Sequence, residues 1–188
     1  GKVVLLQGEA DAISAVRWIS DDSTATIARK SDDRGEYFWV DYTRWSTAPL
    51  PAARAEGDTG EADEPERTAT RSAFKSAKKA TDLMASLSPM AAQRSLDVTD
   101  DGKLAEIGLN DPSAYIEIDR GARTQKLAVG GEAYGTRDYY VRNDETGKVY
   151  LVDRDLIQPL KYARTRLPDR SLFAAERPDI SAVRISAA

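Results

Sequence analysis

Along the first 45 residues, apolar and polar positions alternate with the two-residue period of strands that bury one face. Val3 to Leu6 is a short apolar run, and Val16, Trp18 and Ser20 alternate with Arg17 and Ile19. Thr24 to Arg29 carries β-branched residues, and Glu36 to Tyr42 is dense in aromatics. The turn-forming stretches Asp21-Asp22-Ser23 and Asp32-Asp33-Arg34-Gly35 separate the last three runs. The pattern therefore predicts an antiparallel β meander over 1–45.

From Ser46 to Glu66 the chain turns to Pro, Ala, Gly and acid, with no large apolar residue after Leu50, so 46–67 reads as an acidic, solvated linker or loop. Phe74, Ala77, Ala80, Met84 and Leu87 then recur at intervals of three or four, which predicts one long helix over 68–87, stopped by Ser88-Pro89. Gln93 to Val98 reads as a strand, and Asp100-Asp101-Gly102 as a turn capping a short helix, Lys103 to Ile107, closed by Gly108. Four alternating runs follow, Ala114 to Asp119, Thr124 to Val129, Asp138 to Asn143 and Val149 to Asp153. They predict four antiparallel neighbours, with Gly130-Gly131 among the turns. Asp155 to Tyr162 reads as a short helix interrupted by Pro159. The expected fold is α+β: antiparallel sheets with one long helix packed on a sheet face. Helix and four-stranded region, 68–176, belong to the same domain as the meander.

Composition narrows the chemistry. The 188 residues contain no Cys and no His, which removes thiol nucleophiles, Ser-His-Asp triads, the usual zinc ligands and histidine switches. Twenty-seven Lys and Arg against 31 Asp and Glu give a net charge of −4, so nucleic acid is not expected as a partner. No apolar run approaches the roughly 18 residues of a spanning helix.

The remaining motifs favour structural readings. Gly130-Gly131 sits between strands, where no helix N-terminus converges on a phosphate, so a hairpin turn is expected. Asp58-Thr59-Gly60 matches the aspartic-protease triplet but stands alone in the acidic linker. Asp97, Asp100 and Asp101, like Asp32 and Asp33, lack calcium-loop spacing and are expected to form turns and caps. Arg71, Lys75, Lys78 and Lys79 fall near one stripe of the expected long helix, the usual fate of which is a solvated face. The aromatic strand places Tyr37 and Trp39 on one face and Phe38, Val40 and Tyr42 on the other. Bulk on both faces makes Trp18, Trp39, Tyr42 and Trp45 the candidate interaction surface, with core packing as the alternative. No catalytic residue, metal ligand or cofactor is assigned, although a carboxylate pair stays open because carboxylate separation is a three-dimensional quantity.

Ile13-Ser14-Ala15-Val16-Arg17 recurs as Ile180-Ser181-Ala182-Val183-Arg184. The recurrence reads either as coincidence between two strands or as the opening strand, over 177–188, of a further repeat. The start at Gly1-Lys2 without Met leaves room upstream for an export signal or membrane anchor.

Beginning at Glu106-Ile107-Gly108-Leu109-Asn110-Asp111-Pro112-Ser113, the chain resembles a bacterial domain-of-unknown-function family, numbered four-three-four-zero. The resemblance continues through Leu127-Ala128-Val129-Gly130-Gly131, Tyr139-Tyr140-Val141-Arg142, Val149-Tyr150-Leu151-Val152 and the closing Leu167-Pro168-Asp169-Arg170-Ser171-Leu172. It covers about 68–186 well and the meander more loosely, with Asn110 and Pro168 as departures. Such domains resemble extracytoplasmic parts of membrane-anchored proteins, sometimes in tandem, encoded beside ABC-type export permeases of the gliding-motility kind. The resemblance thus implies a non-enzymatic interaction or scaffold domain on the periplasmic or cell-surface side of the bacterial cytoplasmic membrane. Its partners would be transporter subunits, with membrane contact only through an anchor. The alternatives are an envelope polysaccharide- or peptide-binding module with a stacking platform of exposed aromatics and, more weakly, a hydrolase built on carboxylates.

Overall fold

A computed structural model describes residues 1–47 and 67–169. The fold is α+β and mostly antiparallel sheet. Strands β1 (Val3–Leu6), β2 (Ala15–Ser20), β3 (Ser23–Asp32), β4 (Gly35–Thr47) and β5 (Arg67–Ser76) lead into helix α1 (Lys78–Leu87). Then follow β6 (Met90–Ala92), β7 (Arg94–Leu96), α2 (Asp101–Glu106), β8 (Ala114–Arg120), β9 (Arg123–Glu132), β10 (Tyr139–Asn143), β11 (Val149–Val152), α3 (Arg154–Lys161) and α4 (Ala163–Arg166). Nine strands form one sheet in the order β5-β4-β3-β2-β8-β9-β10-β11-β7, while β1 and β6 make a separate two-stranded ribbon. Strands β2 to β5 and β7 to β11 are thereby a single sheet, joined where β2 pairs with β8 from Ala15↔Asp119 to Ser20↔Ala114, whereas β1, expected within the meander over 1–45, pairs with β6 instead.

Period-two patterning sorts the two faces. Val16 and Trp18, Ala25 and Ile27, Phe38, Val40 and Tyr42, Ile116 and Ile118, Leu127 and Val129, and Val141 all point inward. Upon them pack Leu83, Met84 and Leu87 of α1, Ile157 and Leu160 of α3, and Leu167. A smaller cluster forms on the opposite face, where Leu104, Ile107 and Leu109 from α2 and the loop after it cover Ala128 and Val149. No comparable cover lies over the outer side of β2 to β5 among the described residues.

The helix expected over 68–87 is corrected. Residues 67–76 are the strand β5, paired with β4 from Thr47↔Arg67 to Phe38↔Ser76, and only Lys78–Leu87 is helical. The Phe74-Ala77-Ala80 spacing is helical by coincidence. The same stretch also reads Thr68, Thr70, Ser72, Phe74 on one side and Arg67, Ala69, Arg71, Ala73, Lys75 on the other, and the unpaired backbone groups of β4 decide between the two periods. Among the described residues α1 and α3 are the longest helices, with 10 and 8 residues. The expected linker over 46–67 also shrinks, since Ser46 and Thr47 end β4 and Arg67 begins β5. Residues 48–66, the triplet at 58–60, the second copy of the repeated pentapeptide and the expected strand over 177–188 lie outside the described residues. The first copy enters β2, with Ile13 fully buried and the Ser14 hydroxyl donating to the Asp119 carbonyl at 3.2 Å.

Gly130-Gly131 is not a turn but part of β9, and the β9–β10 connection follows it. The Ile107 carbonyl lies where a Gly130 side chain would begin, closer than any real Cβ approaches, and accepts the Gly131 N–H at 2.8 Å. Gly108, at φ +71°, lets the chain leave α2 in the left-handed region and bring that carbonyl to β9. Pro159 lies inside α3 and does not interrupt it.

Candidate functional site

The exposed side of β2 to β5 is built from register. Asp32 accepts the Arg34 N–H at 2.9 Å and Gly35 adopts φ +116°, which sets the β3–β4 turn and opposes Lys30 to Tyr37 and Ala28 to Trp39. On the far side of β4, Trp39 faces Lys75 and Trp45 faces Ala69 of β5. Cations then lie over the rings: Lys30 Nζ is 5.8 Å from the Trp39 centroid, Lys75 Nζ 3.9 Å from that of Tyr37, and the Arg67 guanidinium carbon 5.0 Å from that of Trp45. Such contacts contribute roughly 0.5–1 kcal/mol each at exposed positions. Lys75 also pairs with Asp32 at 2.7 Å, and this hydrogen bond holds the Asp32 carboxyl below its ordinary pKa. Further along the same face, Arg17 donates to Glu117 at 2.9 Å and to Asp119 at 2.7 Å. The Glu117 hydrogen bond above all, with Asp119 adding to it against burial, raises the Arg17 pKa.

The four aromatics singled out in the sequence are not one surface. Trp39 and Trp45 share the exposed face, both half-buried. Trp18 and Tyr42 point into the core, 3% and 7% exposed, because their strand parity is that of Val16 and Val40. The basic stripe dissolves likewise: Arg71 and Lys75 lie on the outer face of β5, whereas Lys78 and Lys79 open α1, Lys78 pairing with Asp82 at 3.2 Å. Of the acidic clusters, Asp32 works in a turn as expected, and Asp100 holds the N-cap position of α2 without a side-chain hydrogen bond to it.

β5 is an edge of the nine-stranded sheet among the described residues. Its first five residues and their neighbours Arg44, Ser46 and Thr47 on β4 are exposed, so this end of the hairpin stands clear of the core. The outward row of β5 reads Arg67, Ala69, Arg71, Ala73, Lys75: three cations separated by small side chains.

A second place carries no motif in the sequence. A cleft of about 230 Å³ opens at the ends of β2, β8 and β9 beside the end of α3, lined among others by Trp18, Asp21, Asp22, Ser113, Tyr139 and Lys161. The Ser20 hydroxyl donates to the Asp22 carboxylate at 2.7 Å and that of Ser23 at 3.2 Å. The Ser20 bond chiefly holds the Asp22 pKa down, against burial, with Ser23 and the charge of Lys161 adding to it. The Tyr139 phenol donates to Glu132 at 2.8 Å, and burial first, that acceptor second, drives its pKa well above the ordinary tyrosine value. The Trp18 Nε1–H is buried and has no acceptor among the described residues. These groups come from positions 18 to 161 and share no motif, so only the fold assembles them.

No group of three or more acidic side chains gathers as a metal site among the described residues. No curated protein and no solved structure matches the chain. The family model described as Domain of unknown function (DUF4340) matches residues 62–188, from just before β5 onward, and to that family the chain belongs.

Proposed function

We propose that this is a non-enzymatic docking domain, working on the extracytoplasmic side of a bacterial membrane as an auxiliary part of an ABC-type transporter complex. In this reading a transporter subunit adds an extended, acidic segment as a further strand along β5. The observation that carries it is the edge itself: ten residues long, exposed over its first half, with Arg67, Arg71 and Lys75 facing out from a chain whose net charge is −4. An open sheet edge offers a row of backbone donors and acceptors, and flanking charge selects what pairs with it. Trp39 and Trp45 beside the edge supply apolar area for the side chains of the added strand.

The test is site-specific photo-crosslinking in membranes from cells expressing the full chain. A crosslinker at Ala69 or Ala73 on β5 is expected to capture a subunit of a membrane transporter, and one at Lys103 on α2 is not. Arg71→Glu is expected to weaken that capture about tenfold, more at low salt than at high. Equal capture from α2, or capture indifferent to Arg71→Glu, would overturn the reading.

A further inference from the structure

The three outward cations of β5 are engaged differently. Arg67 folds back over β4, its guanidinium carbon 5.0 Å from the Trp45 centroid and one nitrogen donating to the Asp21 carbonyl. Lys75 folds back likewise, 3.9 Å from the Tyr37 centroid and 2.7 Å from the Asp32 carboxylate. Between them, Arg71 lies opposite the neutral Thr43 and makes neither an ion pair nor a cation–π contact among the described residues. The row thus leaves one cation for a carboxylate from outside.

Alanines on either side of Arg71 make two notches, and β4 makes them unlike. Ala69 lies opposite Trp45, whereas Ala73 lies opposite Asp41, whose carboxylate accepts the Trp39 Nε1–H at 3.3 Å. A strand added along β5 presents alternate side chains to this face. The one beside Ala69 has only a methyl group to cross before it meets the Trp45 indole and the apolar stem of Arg67. The one beside Ala73 meets a carboxylate, which a bulky apolar group would strip of water.

We infer that β5 recognises an extended peptide in which an acid is followed two residues later by a bulky apolar residue, the acid seated on Arg71 and the apolar side chain in the notch over Ala69. This names the partner of the edge and rests on the docking reading proposed above. The order follows from antiparallel pairing, which every pair in the nine-stranded sheet shows, because a segment running against β5 meets Arg71 before Ala69. The spacing is strict, since moving the acid by one residue turns it to the other face, where Thr68, Thr70 and Ser72 lie.

The probe is a synthetic peptide with blocked ends, Thr-Val-Thr-Glu-Thr-Phe-Thr-Val-Thr. The readout is the indole N–H signals of the ¹⁵N-labelled protein, which has three tryptophans, with Trp45→Phe identifying the signal of Trp45. The peptide is expected to move the Trp45 signal saturably and to leave that of Trp18, in the core, in place. Gln in place of the peptide's Glu is expected to weaken binding about tenfold. The same loss is expected for the shuffled peptide Thr-Val-Glu-Thr-Thr-Phe-Thr-Val-Thr, whose acid and ring fall on opposite faces, and for Ala69→Leu, which fills the notch. An unmoved Trp18 signal checks that the variant is folded. Arg71→Glu is expected to reverse the preference, so that a peptide with Lys in place of Glu binds more tightly than the parent peptide. If membrane crosslinks form from Ala69 or Ala73 while the parent and shuffled peptides act alike, or neither moves Trp45, the edge docks but the pattern is overturned. The expected shifts without membrane crosslinks would uphold the pattern and remove the transporter, and the absence of both would overturn docking and pattern together.

Discussion

The carboxylate of Asp169 closes the N-terminus of α1 from 92 residues away, accepting the backbone N–H of Ala77 at 2.5 Å and that of Lys79 at 3.3 Å. The local N-cap position is Ala77, which has no side chain able to cap, so the distant acid takes that role. One residue pair away, the Ser76 hydroxyl donates to the Leu167 carbonyl at 2.7 Å, pinning the same junction. Leu167 and Asp169, two residues of the Leu167–Leu172 element, are thereby tied to the β5–α1 corner. Asp169→Ala is expected to destabilise the protein by about 1 kcal/mol, or roughly 2–4 °C in Tm, and Asp169→Asn by less, since its side-chain oxygen still accepts. Thermal unfolding of the three proteins decides it, and an alanine variant as stable as the parent would show that the contact carries no capping energy.

The adjacent glycines of β9 differ sharply in what they tolerate. A Cβ on Gly130 meets the Ile107 carbonyl, which is backbone and cannot rotate away, whereas one on Gly131 meets the same atom at 3.6 Å, an ordinary contact. Gly130→Ala is accordingly expected to destabilise by about 2–3 kcal/mol and Gly131→Ala by within about 0.5 kcal/mol, read by urea unfolding. Equal losses at both positions would mean that strand propensity, and not the α2 clasp, sets the requirement for glycine.

What could be read from the sequence follows how local each determinant is. The turns at Asp21-Asp22 and Asp32 to Gly35 announce themselves through side-chain and glycine chemistry, and β2, β3 and β4 fall where alternation puts them. Strand β5 did not announce itself, because Ala-rich sequence fits both periods and the deciding partner, β4, is joined to it through residues 48–66. Gly130-Gly131 looked like a turn for a similar reason: the carbonyl that demands glycine comes from Ile107. On the exposed face, strand parity alone already separates Trp39 and Trp45 from Tyr42. Trp18 falls with Val16 by the same parity, and the pairing of β2 between β3 and β8 carries that side into the core.

Tyr139 gives the protein an alkaline limit. Its ring is buried, 5% exposed, its phenol is bound to Glu132, and its pKa in the folded state lies above the ordinary tyrosine value. Below about pH 10 the phenol is protonated in both folded and unfolded chains, so its contribution to stability is fully present. Above that pH the unfolded chain loses the proton while the folded one retains it, which favours unfolding, and stability falls as pH rises toward the folded value. Tyr139→Phe is expected to lower stability near neutrality by about 1.5–3 kcal/mol through the lost charge-assisted hydrogen bond, and to flatten the fall above pH 10. In an absorbance titration the Tyr139 phenol is expected to stay protonated until the protein unfolds, and that late component to be missing from the variant. A variant with the same alkaline slope as the parent would place the origin of that slope elsewhere, among the lysines and the remaining tyrosines.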